Sequence, residues 1–215
     1  MNCRLDVPYG PSADETLDIF PAREAGSPLV VYIHGGAWTR GHKDNDSYQA
    51  PAFVDAGAAF VSVNFGLVPA VSLDTLVAQC RAAVKWAYEN AARFGADSNR
   101  LFVAGHSSGG HVAVMLAVHD WAGDGGLPGD IVKGVFAASG MYDLEPVRLS
   151  SRNAYLALDN AAARRNSPVH QIGKTMPPMV IAHGGGEHEE FRRQSADFAR
   201  LLEQRGHDCQ SLVLG

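Results

Sequence analysis

The residues best placed to do chemistry stand in one stretch, Gly105-His106-Ser107-Ser108-Gly109-Gly110. Before it, Leu101-Phe102-Val103-Ala104 is short and apolar, as a buried strand is. After it, Val112, Met115, Leu116 and His119 recur with the period of one helix face. A Gly-x-Ser-x-Gly turn between strand and helix lifts the serine hydroxyl above the end of a sheet, where Ser107 can attack a carbonyl carbon. The helix N-terminus behind it favours the negative charge that develops on the carbonyl oxygen. A chain with 23 glycines meets the bare pattern by chance, so the strand before it and the helix after it carry the reading. A second stretch supports it: Leu29-Val30-Val31-Tyr32-Ile33 runs into His34-Gly35-Gly36-Ala37-Trp38. Glycines just past a strand let backbone N–H groups approach a ligand closely. Gly35, Gly36 and Ala37, with Ser108 from the turn, are the expected donors of an oxyanion hole. An ordinary glycine turn at a strand end is the plainer alternative.

Positioning these groups takes a sheet and covering helices. Strands are expected at 4–7, 16–20, 29–33, 58–63, 101–104, 131–138, 179–182 and 209–214. Helices are expected at 47–56, at 71–94, after Ser107, and around Phe191, Ser195, Phe198 and Leu202 with a stop at Gly206. This alternation implies an α/β fold, a doubly wound, mostly parallel sheet with helices on both faces. Such sheets bind ligands at the C-terminal ends of their strands. His34-Gly35-Gly36, Ser107, Ser139-Gly140 and His183-Gly184-Gly185-Gly186 all follow strands and should converge on one edge.

The 215 residues suit a single domain spanning 1–215. Hydrophobic and charged shares of 46% and 19% are those of a globular protein. A net charge of −5 without basic clusters argues against nucleic acid as a partner, and none is expected. No apolar run is long enough to span a bilayer, the N-terminus has no signal-peptide core, and no membrane partner is expected. Cys3, Cys80 and Cys209 form neither a disulfide framework nor a zinc site, so a reducing cytoplasm is the expected home. The expected partner is a small acyl substrate. The oligomeric state is open, a homodimer included.

With these motifs in hand, the chain resembles the α/β-hydrolase superfamily, on the side of esterases with a His-Gly-Gly oxyanion loop. More narrowly it is similar to the kynurenine formamidase (arylformamidase) group. Ser139-Gly140-Met141-Tyr142-Asp143-Leu144-Glu145-Pro146, Ser167-Pro168 and Glu190-Phe191-Arg192-Arg193-Gln194-Ser195 carry the narrowing. The resemblance implies a serine hydrolase of small acyl compounds, with no metal and no organic cofactor. Its reaction would be hydrolysis of an aryl formamide such as N-formylkynurenine, through an acyl-enzyme on Ser107. A carboxylesterase of short-chain esters is the alternative; a non-catalytic hydrolase-like fragment is the second.

In many hydrolases His-Gly-x-x-Asp supplies the acid, and His183-Gly184-Gly185-Gly186-Glu187 follows that spacing with Glu in place of Asp. Glu187 is therefore the expected acid, Glu189 the runner-up and Asp143 the third choice. The plainer alternative is a solvated helix start in which the three glutamates 187, 189 and 190 are simply favoured by the helix dipole. Trp38 and Tyr142 are candidates for the walls of a substrate pocket, with core packing as the alternative for each. His34 and His106 are expected to shape their turns, and His111 and His119 to be core or surface residues. A metal site at His183, Glu187 and His188 has the wrong spacing for a helical ligand pair. The histidine of such a triad should follow the last strand. His207 precedes that strand and is expected on the opposite edge. On this reading the chain is an incomplete domain, truncated after the strand at 209–214 with the histidine loop absent, and it also begins late.

Overall fold

A computed structural model describes residues 3–123 and 126–215. Eight strands form one sheet: β1 (Arg4–Pro8), β2 (Thr16–Phe20), β3 (Ser27–Ile33), β4 (Ala59–Val63), β5 (Ala96–His106), β6 (Val132–Ala138), β7 (Met179–Gly184) and β8 (Cys209–Leu214). Their order is β1-β2-β4-β3-β5-β6-β7-β8. β1 and β2 pair antiparallel, as do β2 and β4; every other pairing is parallel. The helices are α1 (Lys43–Asp46), α2 (Ala50–Asp55), α3 (Leu73–Asn90), α4 (Ser108–Ala117), α5 (Glu145–Arg148), α6 (Asn153–Leu156), α7 (Asn160–Arg165) and α8 (Glu189–Gln204).

Central strands read as unbroken apolar runs because both faces are covered, and all five residues of β4 are buried. α3 begins where the Ser72 hydroxyl accepts from the Thr75 amide. It buries Leu73, Leu76, Val77, Cys80, Val84 and Ala87 along one stripe. α3, α4 and α8 share one core with Val31, Val61 and Val103. The opposite face packs Val30, Tyr32, Phe60 and Ala104 beneath Ala50 and Phe53 of the α2 region. Helices therefore lie on both faces, unevenly. Beyond α2, Phe102 and Phe136 are 37% and 41% exposed, beside an apolar groove of about 660 Å³. No helix among the described residues is long and apolar enough to cross a membrane.

The expected helix at 47–56 divides into a 3-10 turn and α2, with α1 before it. The short helices α5, α6 and α7 fill a stretch without clear periodicity. What positions the site is the register. Ile33 lies opposite Gly105, His106 opposite Ala138, and Ala138 opposite Ala182. The chain thus leaves β3, β5, β6 and β7 along one edge, as the sequence pattern predicts.

Candidate active site

Ser107 stands at φ 56°, ψ −123° between β5 and α4, a conformation that L-residues rarely adopt. The surroundings enforce it. The Ser107 amide donates to the Ala138 carbonyl at 2.7 Å, which ties the turn to β6. A Cβ on Gly109 would lie 2.1 Å from the Ile33 carbonyl oxygen, so only glycine lets α4 press against the end of β3. The first turn of α4 carries no acidic residue, so its positive pole faces the serine unneutralised.

The loop after β3 meets this turn directly, since a Cβ on Gly35 would lie 3.3 Å from that of Ser107. Gly36, Ala37 and Trp38 follow at φ 123°, 54° and 63°, three successive residues with positive φ. Successive amides in such a run form a concave cradle for an anion. Among the described residues, the amides of Gly36 and Ala37 donate to no protein acceptor, and that of Ser108 opens α4. The loop is pinned from below. His34 stacks on Phe65 at 4.2 Å, and its Nδ1–H donates to the Gly35 carbonyl at 2.8 Å. Burial pushes its pKa down to about 4, so the ring is neutral, and its Nε2 is buried with no partner. At the loop's far end the buried Lys43 ammonium donates to Asp6, Asp18 and Asp44 at 2.8–2.9 Å.

After β7 the chain turns so that Glu187 folds back on its own strand. Its Oε1 accepts from the Gly184 amide at 2.7 Å and from the Ser139 hydroxyl at 2.5 Å. Its Oε2 is buried without a partner. Ser139 repeats at the end of β6 what Ser107 does at the end of β5: φ is 56° at both, and its amide donates to Ala182 at 2.7 Å. Ser139 had no expected role; its position directly after a buried strand was the available signal.

The rival carboxylates are placed elsewhere. Glu189 is exposed in the first turn of α8. Asp143 Oδ1 accepts from the Glu145 amide at the start of α5, and its backbone is stapled to Gln194. Glu190 pairs with Arg193, which holds its carboxyl below the usual range. Of the two alternatives for Trp38 and Tyr142, pocket wall or core, burial favours the core. They are 2% and 1% exposed, with Trp38 packed edge-on against His111 and Tyr142 stacked on Phe198. Large rings at the ends of buried strands are drawn into the core by the area they hide.

No histidine among the described residues occupies Glu187 Oε2. His42 and His188 cap α1 and α8, and His111 is inside the core. His207 lies between α8 and the start of β8, on the opposite edge as expected. Among the described residues no cluster of three metal-ligating side chains forms.

Comparison with known proteins bears on this geometry. Residues 17–202 match the family model BD-FAE. A kynurenine formamidase of Danio rerio is 32% identical over 209 residues, 94% of this chain and 69% of that protein. Carboxylesterase NlhH of Mycobacterium tuberculosis is 31% identical over 83% of this chain and 61% of its own length. The crystal structure of esterase B from Lactobacillus rhamnosis superposes with a TM-score of 0.85 at 18% identity, covering 99% of this chain and 74% of that one.

Proposed function

We propose that this chain, which belongs to the BD-FAE family of the α/β-hydrolase superfamily, is a serine hydrolase of small acyl compounds acting through Ser107. The observation that carries the proposal is the close approach of the glycine loop to the strained Ser107. A Cβ on Gly35 would lie 3.3 Å from that of Ser107, and the next two amides along the loop, of Gly36 and Ala37, donate to no protein acceptor among the described residues. In the reaction, Ser107 Oγ bonds to the substrate carbonyl carbon and gives its proton to a base. The amides of Gly36, Ala37 and Ser108 hold the oxyanion. Collapse expels the amine or alcohol with that proton, and water then releases the acid from the acyl-serine.

The base belongs between Ser107 and Glu187 Oε2. β5 and β7 are separated by one strand, so their ends stand about 10 Å apart, room for a ring hydrogen-bonded at both sides. Glu187 is the carboxylate that orients and stabilises the imidazolium. Its unpartnered buried oxygen supports that role, because such an oxygen is costly unless a donor meets it. On this reading, because no histidine among the described residues meets Glu187 Oε2, turnover by residues 1–215 should be slow. Loss of a triad member costs on the order of 10⁴- to 10⁶-fold.

For the substrate we favour an aryl formamide, cleaved to the aryl amine and formate as N-formylkynurenine is cleaved to kynurenine. The similarity to the zebrafish formamidase over nearly the whole chain supports this. Hydrolysis of short-chain esters is the second reading, supported by the mycobacterial carboxylesterase. Both reactions use the same serine and oxyanion donors. Free imidazole supplied to the chain should restore turnover, with Ser107→Ala measuring the background. Faster rescued hydrolysis of N-formylkynurenine than of p-nitrophenyl acetate bears out the formamidase; a strong preference for the ester replaces it with the carboxylesterase. Rescue equal in Ser107→Ala refutes both.

A further inference from the structure

His111 lies one helical turn beyond Ser107, and its amide donates to the Ser107 carbonyl at 3.1 Å. Its side chain is fully buried, yet both ring nitrogens are engaged. The Trp38 indole N–H points at Nδ1 at 3.2 Å, and Nε2 meets the Asn166 carbonyl at 2.7 Å. An indole N–H can only donate and a carbonyl can only accept. The hydrogen-bond network therefore assigns one tautomer: neutral, with the proton on Nε2. Burial, which pushes the pKa to about 4, keeps the ring in that state near neutral pH.

We propose that His111 is a positioning residue that holds the oxyanion loop in place on the helix of the nucleophile, acting through Trp38. The proposal rests on the oxyanion role of that loop given above. Trp38 is the last of the three positive-φ residues, and such a backbone persists only where its neighbours over-determine it. Two bonds from outside the loop fix Trp38: Val68 N–H to its carbonyl at 2.9 Å, and its own indole to His111. Because His111 and Ser108 share α4, one side chain links the Gly36–Ala37 donors to the Ser108 donor. The clamp has a firm base, since Asn166 Nδ2 donates to Asp74 Oδ1 at 2.9 Å and to the Ala162 carbonyl at 3.0 Å. An apolar side chain of similar size would fill the space but leave an indole N–H and a carbonyl buried and unpaired. A glutamine keeps one acceptor and one donor.

The test compares His111→Leu, His111→Gln and Trp38→Phe in the full chain. The first readout is the ¹⁵N–¹H resonance of the Trp38 indole, identified by its loss in Trp38→Phe. The second is imidazole-supported turnover of p-nitrophenyl acetate. His111→Leu should move the indole resonance and lower kcat on the order of 10²-fold with KM little changed, the scale of losing an oxyanion donor. His111→Gln should restore most of both. Trp38→Phe, which cuts the same bond from the other side, should match the leucine variant in kcat and stands in for it if that variant does not fold. An unmoved indole resonance in His111→Leu, or a glutamine variant no better than leucine, overturns the clamp itself. A moved resonance with unchanged turnover shows the clamp but refutes the oxyanion role on which the inference rests.

Discussion

Acid should destabilise this protein through two buried histidines. His34 and His111 titrate near 6.5 in a solvated chain, and burial depresses both to about 4 in the fold. Between those values the unfolded state binds protons that the folded state refuses. Stability is therefore full above about 6.5, falls as the pH drops towards 4, and stops falling from this source below it. The gap corresponds to on the order of 3 kcal/mol for each histidine, so the pair can remove much of a typical folding free energy of about 5–15 kcal/mol. The assay is urea unfolding followed by tryptophan fluorescence at several pH values between about 7 and 4. Parallel measurements on His111→Gln cancel the carboxylate contributions common to both proteins. The variant starts less stable at neutral pH, and its deficit should shrink by about 3 kcal/mol on acidification because one of the two proton-linked losses is gone. Curves that stay parallel would show that His111 takes up its proton as readily in the fold as in the open chain, and the depressed pKa argument would fail.

Gly109→Ala should abolish turnover and cost more than about 2 kcal/mol in a thermal or urea melt, because its methyl would sit 2.1 Å from the Ile33 carbonyl oxygen. Lys43→Met should destabilise by about 3–5 kcal/mol by stranding the buried Asp18 carboxylate. Adding Asp18→Asn should recover part of that loss, as a double-mutant cycle in urea can show. Ser139→Ala frees Glu187 Oε1 from one of its two donors. Imidazole-supported kcat should then fall about tenfold with KM unchanged, in line with a charged hydrogen bond of about 1.5 kcal/mol.

The strand ends and the serine turn were legible in the sequence because their signals are local: apolar runs of strand length, small residues at one sharp corner, a helix stripe after it. Register then placed His34, Ser107, Ser139 and His183 on one edge without further information. The missed parts are either too short or too distant. α5, α6 and α7 span four to six residues each, less than two turns, so no periodicity develops. The Ser139–Glu187 bond joins residues 48 apart, and Trp38 meets His111 across 73. No spacing rule reaches that far. For Trp38 and Tyr142 the sequence leaves both alternatives open for a related reason: a ring after a strand serves a pocket or a core equally well until its neighbours are known. Asp143 and Glu189 differ from Glu187 in hydrogen bonds and exposure, which no spacing rule reports.

The central claim, that Ser107 is the nucleophile and Glu187 supports the base that activates it, is tested most directly by trapping the acyl-enzyme. The chain is mixed with p-nitrophenyl acetate and free imidazole, quenched in acid, digested, and its peptides are sequenced by mass spectrometry. The account predicts acetyl on Ser107, accumulated faster with imidazole than without it, with the imidazole dependence lost in Glu187→Gln. Acetyl absent from Ser107, or carried there at a rate indifferent to both imidazole and Glu187, contradicts it.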